Sequence, residues 1–224
     1  RLDQIKYRFE NNKLKLSLFE NFKNILFGSI DEYDIKLIFD YLKVRKNNPR
    51  LIFVPHEPDE KFIVYIEKKL KELSIDCVRF SNMTDNLNQD NLDAIIIDKV
   101  GILADAYQFS SISYIGCGFG KGVHNVMEPA IYGNLICFGP NYQILDEAIE
   151  LVNEKLAKPI NNSNELTKIL DLISDVDTLE QYKNGLKKFM SKKQNISNQI
   201  LRDILWNPTL LYYSPSLQFY YPMI

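Results

Sequence analysis

The chain holds few of the residues that usually mark a site. Its 224 residues include three cysteines, two histidines and one tryptophan. Cys77, Cys117 and Cys137 are odd in number, lack metal-type spacing and each fall in or beside an apolar segment. That excludes a disulfide framework and fits a reducing cytoplasm. Charge of one sign is lacking too: 27 Lys and Arg stand against 29 Asp and Glu, a formal net charge of -2. Nothing general draws such a chain to nucleic acid or to an acidic membrane. No run is long and apolar enough to cross a bilayer, and the opening R-L-D-Q-I-K-Y-R-F-E lacks the apolar core of a signal peptide. Any membrane contact is therefore expected to be peripheral. The first residue is arginine and leads at once into a helical pattern at Leu2, Ile5 and Phe9, so an upstream segment is expected.

Several catalytic signatures are missing as well. There is no G-x-S-x-G elbow and no Walker A loop, which leaves a hydrolase triad or a P-loop NTPase without support. The dinucleotide fingerprint G-x-G-x-x-G fails because Lys121 stands where the third glycine belongs, and the loop comes late in the chain. A metal site is not expected, since no helical histidine pair or carboxylate cluster accompanies the two histidines.

What the chain does contain is an alternation of short β-rich runs with longer segments of helical period, the pattern of a parallel sheet with helices on both faces. Strands are expected at 24–27, 51–54, 77–80, 94–97, 114–115, 135–138 and near 157–160. Helices are expected between them, then at 164–173, at 177–192 with a capping box Asp177-x-x-Glu180, and at 196–205. The end, W-N-P-T-L-L-Y-Y-S-P-S-L-Q-F-Y-Y-P-M-I, has neither helical nor strand period. The fold class is α/β, a Rossmann-like doubly wound parallel sheet over residues 1–205, with residues 206–224 an aromatic tail of no assigned role.

In such sheets ligands sit outside the C-terminal ends of the strands. Gly28-Ser29, Pro55-His56-Glu57, residues 98–101 and residues 116–128 are therefore the places to examine. Residues 113–140, S-Y-I-G-C-G-F-G-K-G-V-H-N-V-M-E-P-A-I-Y-G-N-L-I-C-F-G-P, read as strand, glycine-rich loop, short helix and strand. Gly116, Gly118, Gly120 and Gly122 would let a ligand approach bare backbone. Asn125 and Glu128 have capping-box spacing, and Pro129 is tolerated only in a first turn, so a helix is expected to start near 125–129 with free N–H groups for a phosphate. Glu128 has two readings of equal weight, the cap and a carboxylate that holds ribose hydroxyls. His56 and His124 fall after strands on one sheet edge, and each reads either as a site residue or as a hydrogen-bonded loop histidine. Lys121 reads as a phosphate partner or as a solvated loop lysine.

At these residues the chain resembles the 3-deoxy-D-manno-octulosonic acid (Kdo) transferases of lipopolysaccharide synthesis, in the form found in Bacteroidetes-like bacteria. R-L-D-Q-I at Arg1, F-G-S-I-D-E-Y-D at Phe27, F-V-P-H-E at Phe53, I-I-D-K-V-G-I-L at Ile96, Y-I-G-C-G-F-G-K-G-V-H-N-V-M-E-P-A at Tyr114 and F-G-P-N-Y at Phe138 follow the family's order. The resemblance implies the C-terminal, donor-binding half of a GT-B glycosyltransferase. It implies transfer of Kdo from CMP-Kdo to a lipid A precursor, with inversion and without a metal, at the cytoplasmic face of the inner membrane. It places Glu128 on the ribose, and His124, Asn125, Gly118, Phe119, Gly120 and Gly122 around the CMP phosphate and sugar. Ser29 and His56 would line the same cleft. The acceptor site and the general base would lie in an N-terminal domain outside these residues, so this chain alone should bind donor without transferring sugar. The alternatives are a GT-B transferase using a UDP-sugar and a non-catalytic nucleotide-binding domain.

Overall fold

The computed structural model describes Tyr7, Phe19, residues 23–83 and residues 92–206, with backbone alone from 194 onward. The helical pattern at Leu2, Ile5 and Phe9 and the tail beyond Trp206 lie outside the described residues. The chain falls into two compact units, Arg1–Lys187 and Lys188–Ile224, and the first carries the whole sheet.

The strands are β1 (Asn24–Ile30), β2 (Arg50–Pro55), β3 (Cys77–Arg79), β4 (Ala94–Ile96), β5 (Ile112–Ile115), β6 (Leu135–Phe138) and β7 (Ala157–Pro159). They form one seven-stranded sheet in the order β3-β4-β2-β1-β5-β6-β7, and every pair is parallel. The helices are α1 (Glu32–Val44), α2 (Glu60–Glu72), α3 (Leu103–Ala106), α4 (Met127–Ile131), α5 (Asp146–Asn153), α6 (Ser163–Leu170) and α7 (Val176–Trp206). All residues of β4, β5 and β6, and all of β1 except Ser29, are buried, so side chains on both sheet faces are covered. Phe27 stacks on Phe53 at 5.1 Å, and the Tyr114 ring closes on Phe27 at 6.3 Å, which ties the three central strands across one face.

Two helix starts control how the edge of the sheet is built. Asp31 caps α1 by accepting from the Tyr33 and Asp34 amides at 2.9 and 3.3 Å, while Asp34 accepts from the Asp31 amide at 3.0 Å, a complete capping box. Below it Ile35, Ile38, Phe39 and Leu42 form the buried stripe expected from their spacing. Asp59 caps α2 in the same way through the Lys61 and Phe62 amides.

Four expectations are corrected. β1 does not end at Gly28-Ser29 but runs on to Ile30. The capping box at Asp177 and Glu180 does not form: α7 begins at Val176, and Asp175 holds both the Thr178 amide (3.0 Å) and its hydroxyl (2.8 Å). The helices expected at 177–192 and 196–205 are one, because no proline interrupts the hydrogen-bond ladder between Val176 and Trp206. The box at Asn125 and Glu128 also fails, as described below.

Candidate functional site

Strand order reverses between β1 and β5: from β1 the chain steps to β2 on one side, and β5 later adds to the other. Loops leaving these two strands diverge, and the crevice between them is where a doubly wound sheet holds ligands. Here β1 is irregular. Its register on β2 passes from Gly28↔Val54 to Ile30↔Pro55 and skips Ser29, which takes φ 55°. Such a bulge re-aims a side chain. The Ser29 hydroxyl lies 2.8 Å from His56 Nδ1 at the end of β2.

β5 ends against that bulge. The Gly116 N–H donates to the Gly28 carbonyl at 2.8 Å, and a Cβ on Gly116 would stand 2.3 Å from the Ser29 carbonyl oxygen. Cys117 then turns left-handed at φ 63°, donating its N–H to Asp34 Oδ2 at 2.8 Å and its thiol to the Ser29 carbonyl at 3.3 Å. Asp34 also accepts from the Tyr114 hydroxyl at 2.5 Å. Burial raises the Asp34 carboxyl from 3.8 to about 6, against the pull of the Tyr114 hydroxyl and the Asp31 and Cys117 amides. Burial, reinforced by the carboxylates of Asp31 and Asp34, likewise pushes the Cys117 thiol up to about 12. A neutral thiol of this kind is no nucleophile by itself.

The glycine loop closes largely on itself. The amides of Gly120 and Gly122 both return to the Cys117 carbonyl, at 3.0 and 2.9 Å. Gly118 packs against Gly139, where a Cβ would come within 2.5 Å of the Gly139 nitrogen, and Asn141 bridges the two loops through the carbonyls of Gly118 (2.9 Å) and Gly120 (3.0 Å). The Phe119 ring reaches Gly139 and packs on the core. Gly118 thus serves loop-on-loop packing, which spacing alone did not show. Among the described residues, the amides of Lys121, His124 and Asn125 are given to no protein acceptor.

His124 lies over His56, ring centroids 5.2 Å apart and nearly parallel at 16°. The two histidines, both exposed, are thus brought together with Ser29, as their positions after strands predicted. Asn125 caps the next turn through Met127 N at 3.0 Å, but the N-cap of α4 is Val126 and Glu128 falls in the second helical position, not the third. The capping-box reading of Glu128 is therefore wrong. Its carboxylate sits half-buried, close enough to Tyr107 to add to burial in raising that phenol.

A cleft of about 270 Å³ opens beside this cluster, lined by Ile30 at the end of β1, by Asp31 and Tyr33 beyond it, by His56 and Glu57 after β2, and by Cys117 and Lys121 from the loop. Asp31, Asp34, Tyr33 and Cys117 were not singled out by sequence reasoning. The N-cap spacing Asp31-x-x-Asp34 was the available signal for two of them. The structure also changes the outlook for a metal. Sequence spacing offered no ligand set, yet one donor atom each from His56, Cys117 and His124 lies within 4.8 Å of the others.

No protein-family model matches the chain. The 3-deoxy-D-manno-octulosonic acid transferase of Rickettsia bellii is 28% identical over 86% of the chain and 53% of its own length. The enzyme of that name from Aquifex aeolicus is 29% identical over 67% of the chain and 42% of its length. This chain is similar to the Kdo transferases. It spans about half the length of the curated relatives it matches. In three dimensions it superposes on the C-terminal CMP-Kdo binding domain of WaaA from Acinetobacter baumannii, with a TM-score of 0.63 and 17% identity, over 84% of this chain and 96% of that one. Alr3699/HepE of Anabaena, solved in complex with UDP, aligns at a TM-score of 0.56 and 13% identity over 92% of the chain and 53% of its own. The fold is that of one half of a GT-B glycosyltransferase, as the resemblance to Kdo transferases implied. No helix among the described residues is long and apolar enough to cross a membrane.

Proposed function

We propose that the chain is the donor-binding half of a Kdo transferase, holding CMP-Kdo for transfer to a lipid A precursor in lipopolysaccharide biosynthesis. The observation that carries this reading is the similarity to Kdo transferases along 86% of the chain, coupled to the position of G-K-G-V-H-N-V-M-E-P beside the switch point of the sheet. In this reading Glu128 accepts from the ribose hydroxyls. The CMP phosphate lies at the amides of Lys121, His124 and Asn125, with the His56 and His124 imidazoles and the Lys121 ammonium near it. Hydrogen-bond donors so placed stabilise the charge that grows on departing CMP, and they do so without moving during the reaction. Ser29 acts by orienting His56. Asp31 and Glu57, on the flank of the cleft, accept from sugar hydroxyls. Gly118, Phe119, Gly120 and Gly122 hold the loop in the shape that presents these groups. The acceptor site and general base belong to the half of the relatives' length that this chain does not span, and the complete protein works at the cytoplasmic face of the inner membrane.

Calorimetric titration of the chain with CMP, UDP and NAD tests the reading. Selective CMP binding is the expected result. Preference for UDP would move the chain to another GT-B specificity, and preference for NAD or no binding would overturn the donor assignment. Glu128→Ala should weaken CMP by about 1–3 kcal/mol through loss of charge-assisted hydrogen bonds.

A further inference from the structure

We propose that His56, Cys117 and His124 form a binding site for one zinc-class divalent cation. Their donor atoms converge within 4.8 Å although the residues come from two separate loops. Two imidazoles and a thiol are the ligand types that select zinc, cobalt or copper over magnesium or calcium. Cys117 holds a left-handed φ of 63°, a conformation glycine adopts freely and a residue with a Cβ does not, and this strained backbone places sulfur beside the two rings. The Ser29 hydroxyl on His56 Nδ1 supplies the outer hydrogen bond that orients metal-binding imidazoles. Around them the cleft carries the carboxylates of Asp31, Glu32, Glu57 and Asp59 against the one ammonium of Lys121, a balance that favours a cation at its wall.

Three protein ligands leave the fourth position of a tetrahedral ion to water or a bound anion. Bonds of about 2.0–2.3 Å set such ligands roughly 3.5 Å apart, so the donors must close by about 1 Å. Both imidazoles are exposed, which leaves them room to rotate towards that spacing. On binding, the Cys117 S–H bond breaks, sulfur bonds the ion, and the proton leaves to solvent. No electrons are transferred. The site shares His56 and His124 with the proposed donor site, but its test is made without nucleotide and so stands or falls apart from that reading.

The test is Co²⁺ added to the metal-free 224-residue chain, read by absorption, followed by Zn²⁺ competition against a chromophoric chelator. One equivalent of Co²⁺ should give a sulfur-to-cobalt charge-transfer band with the intense visible bands of four-coordination, and Zn²⁺ should abolish both. Cys117→Gly, which suits the left-handed backbone, should fold and lose the charge-transfer band. His124→Ala, at an exposed position, should lower Zn²⁺ affinity by at least about tenfold. Cobalt bound without the sulfur band, or zinc affinity unchanged in His124→Ala, would overturn the proposal.

Discussion

Within the single strand β1, residues 24–27 and residues 28–30 behave as two materials. Asn24 to Phe27 pair in regular register with β2, and their side chains are fully buried. From Gly28 the register slips, Ser29 bulges into a left-handed conformation and its hydroxyl leaves the sheet for His56. From Ile25 to Phe27 the first stretch is held by apolar burial, which is insensitive to orientation. The second is held by backbone approach and hydrogen bonds, which tolerate almost no added atom. The same division runs across the sheet: the strand bodies make the core, and their C-terminal ends make the site.

Substitutions in the two regions should therefore fail in different ways. Phe27→Ala is expected to have the largest effect, about 4 kcal/mol of unfolding free energy, because a fully buried ring stacked on Phe53 leaves a cavity. Denaturant titration measures it, and a loss below about 1 kcal/mol would mean that the core is looser than its burial indicates. Gly118→Ala should cost about 3 kcal/mol by overpacking, since the new methyl meets the Gly139 backbone rather than a movable side chain. Here CMP affinity should fall along with stability, whereas Phe27→Ala should spare the affinity of whatever fraction stays folded. Equal effects of the two on binding would erase the contrast.

Asp34 offers a pH handle on the edge alone. Its folded carboxyl is raised from 3.8 to about 6 by burial, so the folded state binds the proton more tightly than the unfolded state does. The linked stability is fully present below pH 3.8 and is lost as pH rises through about 6. Relative to Asp34→Asn, the wild-type chain should thus gain about 2 kcal/mol on going from neutral pH to about pH 4. Parallel pH profiles for the two chains would show that Asp34 is not buried in solution as it is here. The smallest effect is expected for Ser29→Gly. Relief of the left-handed φ, worth about 1 kcal/mol, nearly offsets loss of an exposed hydrogen bond to His56, worth about 1 kcal/mol. Thermal unfolding should shift little while binding at the His56 face weakens. A loss above about 2 kcal/mol would recast Ser29 as a structural residue.

The strand bodies were readable in advance because burial on both faces demands continuous apolar runs such as Ala94–Ile96 and Leu135–Phe138. The histidines were found because ligands collect at strand ends in this architecture. The packing role of Gly118 was not legible, since a glycine needed for contact with Gly139 has the same one-letter code as one needed by a ligand. Glu128 was half misread for a similar reason: three-residue spacing names a capping box, but the helix started at Met127, one residue later than a cap at Asn125 requires.

By itself, then, the sequence determined the α/β class, the order of strands and helices, and the kinship with Kdo transferases, because periodicity and ordered motifs are local properties of a chain. Tertiary structure alone decided that Cys117 joins Ser29, His56 and His124. They are brought together by a bulge in β1, a capping aspartate in α1 and a left-handed turn after β5. Contacts between residues so far apart in sequence depend on how strands line up side by side, and no local pattern encodes that alignment.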